Sequence, residues 1–200
     1  MRSVAIAVLL VASAIGTGAQ QIDYPALWDG ATPFDRFLGS VRAREAQWKS
    51  RFANAAVDAD ALTRVRALKE RRRILAVAED RCSDSAWAVP YIAKLAAAVP
   101  ERLELRVIGR KEGGGVQSAN PTPDGRVVTP TIVILDEHNR PVGAWVERPS
   151  ELQAWVIANK ASMSSDELHE KIDRWHTDDG GKSTLREIVA LLEKSIAGGK

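Results

Sequence analysis

The stretch Ile74-Leu75-Ala76-Val77-Ala78-Glu79-Asp80-Arg81-Cys82-Ser83-Asp84-Ser85 decides how this chain is read. Its first five residues form an uninterrupted apolar run. Such a run, short and bounded by polar residues, reads as a strand buried on both faces. Glu79 to Ser85 follows as a polar connection holding the single cysteine of the chain, Cys82. Ala86 to Val99 then has helical spacing, with Trp87, Tyr91, Leu95 and Ala98 along one face and Pro90 inside as a kink.

Downstream, Leu103 to Val107 alternates apolar and polar residues and reads as a second strand. Residues 109 to 126 carry Gly113-Gly114-Gly115, Pro121, Pro123 and Gly125, a long loop. Thr131 to Leu135 is a third strand, Asp136 to Asn139 a turn, and Pro141 to Val146 a fourth, hairpin-paired strand. Pro149 to Ala158 reads as a helix. Ser164 with Glu167 and Thr184 with Glu187 match capping boxes and announce two final helices. Upstream, Thr32-Pro33 reads as an N-cap with Pro at the first helical position. The stripe Phe34, Phe37, Leu38, Val41, Trp48 and Phe52 predicts one long amphipathic helix. A second helix spans about Asp60 to Arg73, and the basic run Lys69 to Arg73 reads as its solvated end.

The chain has 200 residues, 45% of them hydrophobic and 27% charged, within the globular range. Its net charge of +2 supplies no general attraction to nucleic acid or to anionic membrane. One cysteine excludes an intramolecular disulfide and any multi-cysteine zinc site. Met1-Arg2, the apolar run Val4 to Ile15, and Gly16-Thr17-Gly18-Ala19 have the pattern of a secretory signal peptide. The expectation is export to the periplasm or outside the cell.

Strand, cysteine at a helix start, helix with an internal proline, strand, loop, hairpin and helix: this order resembles the thioredoxin-like superfamily. Cys82, Pro90 and Thr129-Pro130-Thr131 stand at the positions that carry the resemblance. The fold it implies is α/β, a central mixed four-stranded sheet flanked by helices with extra helices at both termini. The expected divisions are a leader at 1–19, a helical extension at 20–69, a thioredoxin-like core at 70–160 and a helical pair packed on the core at 161–200. Arg81-Cys82-Ser83-Asp84-Ser85, the helical N-terminal segment and the C-terminal helices joined by Gly181-Lys182-Ser183-Thr184 resemble a bacterial monothiol branch of that superfamily. The resemblance places a cis-proline at Pro130, facing Cys82. It also shows departures: Ser85 stands for the second cysteine, Arg81 for the usual tryptophan, and Ala76 for a buried carboxylate.

A thiol at a helix N-terminus is activated by unsatisfied backbone N–H groups. Arg81 acts in the same direction, Ser85 can donate to the sulfur, and Glu79, Asp80 and Asp84 oppose. The candidate catalytic residues are therefore Cys82, Ser85, Asp84 and Arg81, with Thr129 and Pro130 binding substrate. Ser85 cannot resolve a mixed disulfide, so an external thiol is needed. The expected partners are protein or low-molecular-weight thiols and disulfides, with no cofactor, no metal, no nucleic acid, and no membrane once the leader is removed. A non-catalytic binding or holdase module using the same groove, an intermolecular disulfide through Cys82 and a structural partner subunit stay open beside this reading. Gly180-Gly181-Lys182-Ser183 lacks the upstream glycine and strand of a phosphate loop. His169, Asp173 and His176 share a helix face but read as solvated side chains.

Overall fold

The computed structural model describes residues 21–197, so the proposed leader lies outside the described residues. The elements run α1 (Tyr24–Gly30), β1 (Thr32–Pro33), α2 (Phe34–Ser40), α3 (Glu45–Asn54), α4 (Ala59–Arg66), β2 (Arg72–Val77), α5 (Ser83–Ala98), β3 (Leu103–Ile108), α6 (Gly114–Ala119), β4 (Thr131–Leu135), β5 (Pro141–Val146), α7 (Ser150–Asn159), α8 (Ser165–Asp179) and α9 (Lys182–Ala197). The sheet order is β1-β3-β2-β4-β5. β2 and β3 are parallel; every other pairing is antiparallel.

The apolar run of β2 is central because both faces are covered. Ile74 and Ala76 point into one core with α5, α9 and the helices before β2. Leu75 and Val77 point the other way, against Trp28 of α1 and Val116 of α6. The pleat alone separates these two sets. All four are fully buried, and each large apolar side chain so buried contributes about 1.5–3 kcal/mol. A smaller cluster of Leu152, Val156 and Ile172 joins α7 to α8.

Five expectations are corrected. The sheet has five strands, because Thr32–Pro33 pairs with Val107 and Arg106 of β3; Pro33 rather than Thr32 then stands at the N-cap of α2, with no side-chain cap bond. The long N-terminal helix is broken into α2 and α3 at Val41–Arg44, where Arg44 takes a left-handed φ of 54°. The basic run does not end a helix: α4 stops at Arg66, and Arg72 opens β2 with its side chain buried and paired to Glu70 at 3.0 Å. The loop after β3 contains α6. Thr184 caps nothing; it is buried inside α9, and Glu187 instead accepts from Trp145 Nε1 at 2.7 Å and from the backbone N–H of Ser150 at 2.8 Å. The Ser164–Glu167 capping box is present.

Gly180 and Gly181 have a simpler role than phosphate binding. Both adopt positive φ, 61° and 81°, and turn α8 into α9. A Cβ on Gly181 would lie 2.3 Å from Cδ1 of Tyr91, so glycine alone lets the turn rest on that ring.

Candidate functional site

Cys82 is the N-cap of α5, half-buried, with extended φ and ψ of −75° and 123°. Its Sγ accepts from the backbone N–H of Ser85 at 3.4 Å, as an N-cap side chain does. The Sγ–H donates to the carbonyl of Thr129 at 3.3 Å. The Thr129–Pro130 peptide is cis. The start of α5 and the proline loop therefore meet at the sulfur.

The turn before Cys82 is pinned from the N-terminal helices. The Asp80 carboxylate accepts from the backbone N–H groups of Arg42 and Ala43 at 3.0 and 2.9 Å. These two bonds hold its carboxyl below the usual range. Trp48 Nε1 donates to the Asp80 carbonyl at 2.9 Å, and Arg44 Nε to the Arg81 carbonyl at 2.8 Å. The break between α2 and α3 is thus where the chain stops to bind the cysteine turn. A cleft of about 480 Å³ opens there, lined by Phe37, Arg42, Glu79, Arg81 and Gly109. It sits beyond the C-terminal ends of the parallel strands β2 and β3, the usual ligand end of such a sheet.

Two residues expected around the sulfur make other contacts in the structure. Arg81 points to solvent, with 78% of its side chain exposed, and pairs at 3.7 Å with Glu79 rather than with the sulfur. Ser85 is fully buried, but its hydroxyl has no hydrogen-bond partner; its backbone N–H makes the contact to Sγ. Helix geometry explains this, since the N-cap group meets the N–H three residues on. Thr129 and Pro130 are both buried, and the Thr129 carbonyl is already engaged by the thiol.

Asp84 is drawn away from the sulfur into an ion-pair network. Its two oxygens accept from Arg148 Nε and Nη2 at 2.9 and 2.8 Å. Arg148 Nη1 lies 2.9 Å from Glu147 Oε1, and Arg126 donates to both Glu147 oxygens at 2.9 and 2.7 Å. Burial pushes the Asp84 carboxyl up to about 6, with Arg148 opposing and Glu147 adding to the rise. The outer end is closed by Asp124, which takes Arg126 at 2.9 Å and Lys160 at 2.5 Å. Of this network only Asp84 is legible in the sequence as a site residue. Glu147, Arg148 and Arg126 meet it through the fold, and no local motif marks them.

The helix face bearing His169, Asp173 and His176 is partly interior. Asp173 accepts from Trp87 Nε1 at 2.7 Å, and His176 is buried with its Nε2 unpartnered. Arg51 lies over the Trp87 ring at 3.2 Å, and burial lowers its guanidinium to about 10. Among the described residues no group of His, Cys, Asp or Glu side chains is arranged to hold a metal ion.

Comparison with known proteins agrees with this fold. A family model described as "Thioredoxin" matches residues 31–169. A Pseudomonas aeruginosa protein of unknown function superposes with a TM-score of 0.65 at 19% identity, over 86% of this chain and 98% of that one. An HIV epitope-scaffold superposes with a TM-score of 0.64 at 19% identity, with the same coverage. No curated protein matches the sequence.

Proposed function

The chain belongs to the thioredoxin family, and from that premise we propose that it carries out monothiol thiol–disulfide exchange through Cys82. The observation that carries this reading is the sulfur itself, half-buried at the N-cap of α5 and 3.3 Å from the carbonyl that precedes a cis-proline. The Cys82 thiolate attacks one sulfur of a disulfide and forms a mixed disulfide. The other sulfur leaves as a thiolate, which takes up the proton that Cys82 released. An external thiol then attacks the mixed disulfide and regenerates Cys82. Each attack forms one S–S bond and breaks one: the external thiol ends in a new disulfide with the sulfur that Cys82 carried, so one external thiol is used per turnover and the number of disulfides is unchanged. Ser85 stands where a second cysteine would resolve the intermediate, which makes that external thiol necessary.

Incubation with glutathione disulfide, read by intact mass, tests the proposal. The expected outcome is one glutathione adduct, removed by added thiol and absent in Cys82→Ser. Reaction of Cys82 no faster than a model thiol at neutral pH overturns it.

A second reading, a non-catalytic binding module, is favoured by one observation. Thr129 and Pro130 are buried, and the Thr129 carbonyl already has a donor. Ligand capture that survives Cys82→Ser would establish that reading instead. Residues 1–19 are proposed as an export leader, on the basis of their charged start, apolar run and small residues. Mass analysis of the exported protein, with an N-terminus after residue 19, is the expected result.

A further inference from the structure

We propose that Arg148 is a positioning residue which clamps the cysteine turn to the proline loop and so sets the gap across which a disulfide is exchanged. This rests on the exchange reading of Cys82. The two halves of the site come from distant segments, and one contact, from Sγ to the Thr129 carbonyl, joins them directly. A second connection runs behind it. Asp84 lies on the same first turn of α5 as Cys82 and is held by Arg148 through two parallel bonds. Arg148 also meets the Glu147 carboxylate at 2.9 Å. The backbone N–H of Glu147 donates to the Pro130 carbonyl at 2.8 Å. The path from Cys82 through Asp84, Arg148 and Glu147 to Pro130 and Thr129 is therefore closed.

Three features set this ring apart from ordinary packing. The side chains of Asp84, Arg148 and Glu147 are 11%, 9% and 4% exposed, so the pairs are shielded from solvent screening. Glu147 holds a left-handed φ of 65°, a conformation that a non-glycine residue keeps only when its surroundings fix it. The guanidinium fork fixes direction as well as distance, which apolar residues filling the same volume would not do. Arg148 also takes Gln153 at 3.3 Å, which ties the clamp to α7.

The test compares two reactions of one thiol. Iodoacetamide needs only the sulfur, whereas a glutathionylated peptide must also lie against the proline loop. Asp84→Asn keeps the shape but weakens the clamp, and Arg148→Lys with Arg148→Met gives a graded pair. The expected result is a loss of exchange about tenfold beyond any loss of alkylation in Asp84→Asn and Arg148→Met, with partial recovery in Arg148→Lys. Equal changes in both reactions, or none in exchange, overturn the clamp. If the wild type alkylates but does not exchange, the functional reading fails by itself. Hydrogen exchange at the Glu147 amide then decides the clamp: faster exchange in Asp84→Asn sustains it, and unchanged protection overturns it. Circular dichroism of each variant separates these outcomes from failure to fold, and Asp84→Asn serves where Arg148→Met does not fold.

Discussion

The imidazole of His176 stacks on the indole of Trp87, with ring centroids 5.0 Å apart and planes 12° from parallel. One ring belongs to α8 and the other to α5, so this contact helps to seat the C-terminal helices on the core. Burial, with the charges of Arg148 and Arg51 adding to it, pushes the imidazole down to about 3. The folded protein therefore holds a neutral histidine where the unfolded chain holds one titrating near 6.5. The stability this confers is present above pH 6.5 and is lost as pH falls toward 3. Thermal unfolding of His176→Phe, which keeps a ring against Trp87, is expected to lose less stability than the wild type over that window.

Asp84 has the opposite sign. Its carboxyl is raised in the folded state, so its contribution is fully present below about pH 3.8 and is lost as pH rises through about 6. Denaturant unfolding of wild type and Asp84→Asn at a series of pH values checks this. The wild type is expected to lose ground to the variant between pH 4 and 7, by on the order of 1–3 kcal/mol. A difference that does not change across that range would contradict the assignment.

Asp80 joins the N-terminal helices to the cysteine turn. Asp80→Ala leaves the N–H groups of Arg42 and Ala43 without their acceptor, at a cost of about 1–3 kcal/mol. Trp48 still reaches the backbone carbonyl of residue 80. The α2–α3 connection is therefore expected to loosen without unfolding of the core. Proteolysis near Arg42 and Arg44 should accelerate, and the denaturation midpoint should fall.

The two turn glycines separate backbone strain from collision. Gly180 has open space around its Cα, so Gly180→Ala is expected to cost about 1–2 kcal/mol for the left-handed backbone alone. Gly181→Ala adds the collision with Tyr91 and is expected to cost clearly more. Melting temperatures of the two variants rank the effects.

Where neighbours in sequence are also neighbours in space, the chain can be read directly. The run Ile74 to Ala78, the hairpin of Thr131 to Leu135 with Pro141 to Val146, and the Ser164–Glu167 box all belong to this kind. Pro90 lies inside α5 in the structure as well. Reading fails where a distant partner overrides a local pattern. The aromatic stripe from Phe34 to Phe52 continues through Val41, yet the helix breaks there because Asp80 takes two of its N–H groups. Thr184 and Glu187 have capping spacing, yet Glu187 binds Trp145 and Ser150. The same holds for the site. Cys82 announces itself by type and place, but Arg148 meets Asp84 only because β5 runs beside β4 and ends near the proline loop.

The two-residue strand Thr32–Pro33 also bears on how the molecule behaves in a crowd. A six-residue β3 left bare would offer its backbone to any passing extended chain. β1 occupies part of that border, and Pro33, without an N–H, has one donor fewer to extend the ladder outward. Glu104, paired with Arg106 at 2.8 Å, places a charge along the remainder. On the opposite border, β5 begins at Pro141 and its register with β4 shifts at Ile134/Leu135. Both margins of the sheet are blunted against strand-by-strand recruitment, so concentrated solutions of the folded protein should resist fibrous assembly.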